Sequence, residues 1–195
     1  MKNITYVICN TSILICTTLF ERYCPMNVYN YPLDCGFYYT KTICNYLKRN
    51  KKINDNLAHI NTLLMFLCKM YIYIDCITNN TILSNRVVIL LVLRQLGGYL
   101  TIQPVHNDFK LLSSAYDVPA KDNNFFFMYS GHTVILVSVG LHATFESLLI
   151  NPLFTGMIFS IAFIFQTLRL LASRGHYSND IYIATLLSYL MYKAL

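Results

Sequence analysis

The stretch NPLFTGMIFSIAFIFQTLRLLASRGHYSND, residues 151–180, decides the fold. It contains an apolar run over about 153–172, and a helix that crosses a bilayer needs about 20 mostly apolar residues. The run then gives way to the polar motif Arg174-Gly175-His176-Tyr177-Ser178-Asn179-Asp180, which opens a further hydrophobic segment at about 179–195. The stretch therefore predicts two membrane helices joined by a short polar turn.

Four further segments pass the same length test, and they lie at about 4–20, 57–76, 84–102 and 131–150. The first of them follows Lys2 as a signal peptide would. No small-residue cleavage site precedes Glu21-Arg22, so we expect a retained helix. The sequence predicts an all-α, polytopic membrane protein with about six transmembrane helices. Its length predicts a single multi-pass catalytic domain over residues 1–195.

The composition favours lipid as the solvent. Of the 195 residues, 55% are hydrophobic and 12% are charged, whereas a soluble domain carries roughly 25% charged residues. The net charge of +6 does not indicate nucleic acid, because the densest basic run, Lys48-Arg49-Asn50-Lys51-Lys52, is typical of a juxtamembrane flank. The seven cysteines form no C-x-x-C pair, so we expect no metal. Cys24, Cys35 and Cys44 share one loop, and the sequence leaves their pairing open.

The polar residues collect on one membrane face if all six segments span. That face receives the long loops at about 21–56 and 103–130 and the turn before the last segment. Its candidate residues are Asp34, Lys110, Asp122, Ser130, His132, Arg174 and His176. Arg94 lies within the third segment, where an ionisable side chain is costly and marks a candidate site.

Two short motifs carry the candidate chemistry. Ser130-Gly131-His132-Thr133 opens the fourth segment, and His176 and Asp180 stand four residues apart at the start of the sixth. On a helix this spacing lets a carboxylate hold an imidazole in one tautomer, which makes the histidine a better nucleophile toward phosphorus. His132 enters at the same face as a candidate general acid and base. Each motif alone also fits a helix cap or an ion pair, but both at one membrane face favour a catalytic site.

His142 and Glu146 have the same i, i+4 spacing but a different interpretation. They lie about 15 and 21 Å beyond His132 along the helix, too far to share its site. We predict a structural pair near the opposite interface.

The two motifs resemble the pattern S-G-H-T … H-Y-[ST]-x-D of the sphingomyelin synthase family, a branch of the type 2 phosphatidic acid phosphatase superfamily. Two weaker matches fall in the order of that family. They are Pro32-Leu33-Asp34, and Arg94 followed by Thr101 and Pro104. Asn124-Phe125-Phe126 stands where the family usually has C-G-D, and Gly97 stands where it has a threonine, so the head-group selectivity stays open.

The resemblance implies transfer of a phospho-head group, such as phosphocholine, from a glycerophospholipid to ceramide. In that mechanism His176 attacks phosphorus with Asp180 orienting it, and diacylglycerol leaves. His132 protonates the departing alkoxide and then accepts the proton of the ceramide hydroxyl. No cofactor is expected. The predicted site residues are, as catalytic groups, His132, His176 and Asp180 and, as substrate-binding groups, Arg94, Ser130, Gly131, Arg174 and Tyr177.

The two arginines are candidates to neutralise the phosphoryl oxygens. Arg94 alternatively forms a structural ion pair with a carboxylate such as Asp34. The acceptor is also open, because diacylglycerol can replace ceramide in the same chemistry.

Two rival hypotheses remain. A lipid phosphate phosphatase would pass the phosphohistidine to water, but Tyr129 stands where such enzymes place proline before the Ser-Gly-His motif. A catalytically inactive lipid-binding protein would not be expected to retain His132, His176 and Asp180 intact.

We expect membrane lipids as partners, no nucleic acid, and room for a homo-oligomer. The expected location is an endomembrane (ER or Golgi) or the plasma membrane, as an integral multi-pass protein. The resemblance implies a luminal or exoplasmic active site, whereas the basic loops on the catalytic side place it in the cytosol by the positive-inside rule. The sequence leaves the orientation open.

Overall fold

The computed structural model describes residues 34–78, 81–98, 102–112, 114, 125–127, 129–146 and 151–195. This part of the chain is helical except for two three-residue strands, which pair antiparallel with Gln103 opposite Phe126. The helices are α1 (Cys35–Tyr39), α2 (Lys41–Arg49), α3 (Lys51–Thr78), α4 (Ile82–Gly98), α5 (Asn107–Leu112), α6 (Gly131–Phe145), α7 (Pro152–Ala172) and α8 (Ser178–Ala194). The strands are β1 (Ile102–Pro104) and β2 (Phe125–Phe127).

Helix α6 lies at the centre of the bundle, in contact with α3, α4, α7 and α8. Its sequence, GHTVILVSVGLHATF, is apolar on nearly every side, as expected of a helix surrounded by others. Val134, Leu136 and Val139 are almost fully buried, and they pack in one cluster with Leu90 of α4 and Ala184 of α8. The core is therefore built around the helix that begins at the Ser-Gly-His-Thr motif.

The outward faces of α3 and α7 are apolar. Their exposed large side chains include Leu63, Phe66, Leu67, Ile74, Leu153, Met157, Ile161 and Ile164. A large exposed apolar surface is unfavourable in water and marks contact with lipid or with a protein partner. These helices, of 28 and 21 residues, are the two in the described ranges that are long and apolar enough to cross a membrane.

The predicted all-helical class is confirmed, but the six membrane spans are not. The segment at about 4–20 lies outside the described residues. Helices α4 and α8 have 17 residues each and α6 has 15. At 1.5 Å per residue they measure about 22–26 Å, short of a hydrocarbon core of about 30 Å. The predicted third segment ran to 102, whereas α4 ends at Gly98 and Ile102 already belongs to β1.

The predicted loop at about 21–56 is helical where the structure describes it. Residues from Cys35 onward form α1, α2 and the first turns of α3, and the basic run divides at Asn50 between α2 and α3. Helix α2 is amphipathic and buries Cys44 and Leu47. With nine residues it is too short to meet the length criterion for a membrane span. Cys35 and Cys44 are free thiols, and Cys24 lies outside the described residues.

Candidate active site

Ser130 starts helix α6 and places His132 in its first turn. The Ser130 side chain is buried, its backbone is extended, and its Oγ accepts a hydrogen bond from the Thr133 backbone N at 3.3 Å. A serine in this position satisfies one of the N–H groups that the first turn leaves without a helical partner. The motif is thus a helix cap that also fixes the position of a histidine.

Asp180 organises the start of α8. Its Oδ2 accepts a hydrogen bond from the Tyr177 backbone N at 3.0 Å and lies 3.3 Å from His176 Nδ1. Asp180 is fully buried, and within the described ranges its Oδ1 has no hydrogen-bond partner. A carboxylate in the first turn is stabilised by the helix dipole.

The contact between His176 and Asp180 arises differently from the predicted one. The spacing in the sequence predicts both residues on one helix face, but His176 precedes Tyr177, the N-cap of α8. The imidazole reaches the carboxylate because the chain turns at the cap, where residues flanking a helix start come close together. The contact between His176 and Asp180 agrees with the prediction, whereas the backbone conformation of His176 does not.

The two motifs meet at one end of the bundle. The ring centroids of His132 and His176 are 6.4 Å apart, with the ring planes inclined at 66°. A backbone hydrogen bond of 3.3 Å from Ser130 N to Asp180 O joins the cap of α6 to the first turn of α8. His176 is buried, whereas His132 is partly exposed.

Arg94 of α4 lies beside the start of α6. Its Nε donates to the Tyr129 carbonyl at 2.6 Å, and the Tyr129 hydroxyl donates in turn to the Leu90 carbonyl. A Cβ added at Gly131 would lie 3.7 Å from Arg94 Nε. Arg94 is buried and interacts electrostatically with both Asp180 and His132. The guanidinium therefore adds positive charge next to the paired histidines.

Arg174 binds helix α1. Its Nη1 donates to Thr40 Oγ1 at 2.9 Å and to the Leu171 carbonyl at 3.1 Å, and its Nη2 donates to the Phe37 carbonyl at 2.9 Å. The guanidinium also lies 4.5 Å from the centroid of the Phe37 ring. Arg174 has a φ of 61°, a left-handed conformation that is costly for a residue with a side chain. Its contacts hold the turn before His176 against α1.

Tyr177, predicted to bind substrate, is almost fully buried. Its ring lies 5.0 Å from that of Phe37 and packs in a cluster with Val105 and Phe109. These contacts brace the residue that follows His176.

His106 and Asp108 flank this aromatic cluster. The His106 ring packs edge-on against Phe37 at 5.3 Å, and Asp108 Oδ1 lies 2.8 Å from Lys48 Nζ. Burial lowers the pKa of His106, and the charges of Arg174 and Lys48 lower it further against the raising effect of Asp108. For Asp108 burial alone would raise the pKa, but the hydrogen bond and charge of Lys48 outweigh it, so the pKa is lowered.

His142 and Glu146 belong to a separate ionic cluster. His142 Nδ1 lies 2.8 Å from Glu146 Oε2, and His142 Nε2 lies 3.3 Å from Asp75 Oδ1 on α3. Arg86 Nη1 donates to Glu146 Oε1 at 2.8 Å. The cluster lies about 15 Å along α6 from His132, as ten residues of helix require. It ties α3, α4 and α6 together away from the paired histidines.

Lys69 lies inside the predicted segment at 57–76 and is not among the predicted site residues. Its ammonium interacts electrostatically with His132. The signal was present in the sequence, because a charge within a membrane segment marks a candidate functional residue.

The described helices form a bundle with apolar outer faces, which indicate a membrane-associated protein, and at one end of the bundle His132 lies beside the His176–Asp180 pair. The chain belongs to the AtPDCT1/2 family, whose model matches residues 33–194. It is 29% identical over 151 residues to phosphatidylcholine:diacylglycerol cholinephosphotransferase 1 of Arabidopsis thaliana, covering 77% of this chain and 48% of that protein. It is 30% identical over 153 residues to phosphatidylcholine:diacylglycerol cholinephosphotransferase 2 of Arabidopsis thaliana, covering 77% of this chain and 49% of that protein.

The prediction of a sphingomyelin synthase-like family was therefore wrong. That resemblance rested on the short motifs around His132 and His176. The chain spans about half the length of the curated relatives it matches.

Proposed function

We propose that this chain transfers phosphocholine from phosphatidylcholine to diacylglycerol within a membrane. The observation that carries the proposal is the meeting of His132 with the His176–Asp180 pair, in a family whose curated relatives are named for that transfer. Diacylglycerol takes the place of the predicted ceramide.

His176 is the nucleophile of the first step. Its Nδ1 faces Asp180, so Nε2, on the far side of the ring, attacks the phosphorus of phosphatidylcholine. An N–P bond forms as the bond from phosphorus to the glycerol oxygen breaks, and His132 gives its proton to that oxygen. The Asp180 carboxylate stabilises the positive charge that develops on the imidazole.

The second step reverses the first with a new acceptor. A second diacylglycerol loses its hydroxyl proton to His132, and its oxygen attacks the phosphohistidine and restores His176. Arg94 and the N-termini of α6 and α8 surround the phosphoryl oxygens with positive potential. Arg174 positions the loop that carries the nucleophile.

The bonds broken and formed are of the same kind, because a diacylglycerol enters and a diacylglycerol leaves. The equilibrium constant is therefore near one, and the exchange requires no energy source. Its physical effect is to redistribute fatty acyl chains between the phosphatidylcholine and diacylglycerol pools.

We also propose that the bundle is part of a multi-pass membrane protein and that both lipids reach the site sideways, between helices. The exposed apolar faces of α3 and α7 support this arrangement. A lateral route keeps the acyl chains out of water.

The experiment uses the chain in lipid nanodiscs with choline-labelled phosphatidylcholine and a diacylglycerol of different acyl length. Transfer predicts labelled phosphatidylcholine that carries the new chains, and His176→Ala should form none. A parallel assay with ceramide should give no labelled product. Release of free phosphocholine to water would identify a hydrolase, and no turnover with any acceptor would contradict the enzymatic proposal.

A further inference from the structure

Lys69 is a charged residue on an otherwise apolar part of α3. It is the one charged side chain between residues 60 and 74, and it is exposed. Its neighbours Phe66 and Met70 are exposed apolar residues of the face assigned above to lipid. An ammonium group is costly at a lipid-facing position, so a lysine there indicates a functional contact with an anion.

The packing of α3 against α6 gives the depth of Lys69. The contact between His142 and Asp75 aligns the far ends of the two helices. At 1.5 Å per residue from the level of this contact, the Lys69 backbone lies about 6 Å farther from the Ser130 end of the bundle than the His132 backbone does. Met65 of α3 shares a core cluster with Tyr129, next to the start of α6, which agrees with this parallel arrangement. An extended lysine side chain covers about that distance as it turns toward the polar end of the bundle.

The charges around His132 are unbalanced. Lys69 and Arg94 both interact electrostatically with His132, from α3 and α4 respectively. The carboxylate at the site is Asp180, whose Oδ2 already serves His176 and the Tyr177 backbone. Within the described ranges, the ion pairs include none to Lys69. An anion placed between the two cations would balance the charge.

We infer that Lys69 binds the phosphodiester of the donor phospholipid at the lipid-facing side of His132. The inference rests on the proposed function and adds a subsite to it. The donor carries a phosphate and is held by Lys69 as it enters from the bilayer, whereas diacylglycerol has no charge for the ammonium to bind. The residue therefore separates donor from acceptor by charge rather than by the acyl chains that both share.

The test is equilibrium binding of fluorescent phosphatidylcholine and fluorescent diacylglycerol to the purified chain in detergent, with transfer assayed alongside. Lys69→Met should weaken phosphatidylcholine binding about tenfold, as loss of one charge-assisted contact predicts. Diacylglycerol binding should be unchanged, and Lys69→Arg should stay within about threefold of the wild type. Methionine suits a lipid-facing position better than lysine, so a loss of binding cannot be assigned to unfolding.

Lys52→Met is the matched control, because it removes the same charge from the first turn of α3, about 25 Å away along the helix. It should bind both lipids as the wild type does. Equal phosphatidylcholine affinity for Lys69→Met and the wild type would overturn the inference, as would a wild type that binds no phosphatidylcholine. Wild-type binding that depends on Lys69 without any transfer would refute the proposed function alone.

Discussion

Asp34 binds Ser178 through both of its carboxylate oxygens. Oδ2 accepts from the Ser178 backbone N at 2.6 Å, and Oδ1 accepts from Ser178 Oγ at 2.8 Å. The same Oδ1 caps α1 by accepting from the Phe37 backbone N at 2.9 Å. One carboxylate therefore accepts hydrogen bonds at the starts of two helices, α1 and the helix that carries Asp180. The position of the His176 loop depends on this link as well as on the core.

We predict that Asp34→Ala lowers the free energy of unfolding by about 1–2 kcal/mol, because two helix starts lose their acceptor. Asp55→Ala, which removes a partly exposed carboxylate from α3, serves as the control. Thermal unfolding in detergent measures both. Equal melting temperatures for the two variants would show that the link contributes no stability.

Gly36 is required by the same link. A Cβ added there would collide with Ser178 Oγ and would lie 2.9 Å from both terminal carbons of Leu171. We predict that Gly36→Ala pushes α1 away from α8 and lowers the rate of transfer. Gly97→Ala is the control, since a Cβ at Gly97 meets nothing within 4 Å. Wild-type transfer by Gly36→Ala would mean that α1 does not hold the catalytic loop.

The parts of the site that the sequence predicted are those with a local signal. His132 follows a serine that caps a helix, and His176 lies four residues before an aspartate, so the helix start and the contact between imidazole and carboxylate could be predicted from neighbouring residues. The start of α6 and the start of α8 at the same end of the bundle could be predicted from the alternation of apolar segments and loops. Their contact through Ser130 N and Asp180 O could only be seen in the folded chain.

The parts that escaped prediction depend on contacts between residues far apart in sequence. Asp34 and Ser178 are separated by most of the chain, and neither residue alone indicates a partner. Arg174 stands beside His176 in sequence, which favoured a role at the phosphate, yet its guanidinium contacts α1. Helix α2 differs from the predicted loop because it is short and amphipathic, so it lacks the long apolar run that identifies a membrane helix.

Arg86 and Glu146 provide a test of the second ionic cluster. Arg86 is buried and also donates to the Tyr192 carbonyl at 3.3 Å. We predict that Glu146→Ala lowers the free energy of unfolding by about 2 kcal/mol. This loss is smaller than that expected for a fully buried ion pair, because the Glu146 side chain is 27% exposed. The double variant Arg86→Met with Glu146→Leu should recover most of that loss, since Arg86 is then no longer a buried charge without its partner.

Chemical denaturation of the two variants and the wild type measures the loss and its recovery, and transfer per folded molecule should equal that of the wild type. A rate loss as large as that of a His132 variant would show that this cluster is not merely structural.

His106 should make stability depend on pH. Its pKa in the folded chain is below the ordinary value of 6.5, so the unfolded chain binds the proton first as the pH falls. The contribution of His106 is therefore present above about pH 6.5 and is lost as the pH falls toward the folded pKa. We predict that His106→Asn flattens the fall in melting temperature between pH 7.5 and about 5, a range in which Asp108 stays ionised. His59→Asn, at an exposed position, is the control and should leave the slope unchanged.

The last prediction separates the roles of the two histidines. In the proposed mechanism His132 protonates the departing diacylglycerol, whereas His176 forms the bond to phosphorus. Both alanine variants should lose nearly all transfer from phosphatidylcholine. With p-nitrophenyl phosphocholine, whose leaving group departs without protonation, His132→Ala should form the phosphoenzyme at a rate closer to that of the wild type. His176→Ala should stay inactive, because no leaving group replaces a missing nucleophile. Release of nitrophenol and mass spectrometry of the trapped phosphohistidine measure the two outcomes. A phosphate found on His132 would reverse the assignment, and rescue of His176→Ala by the activated donor would exclude the covalent route.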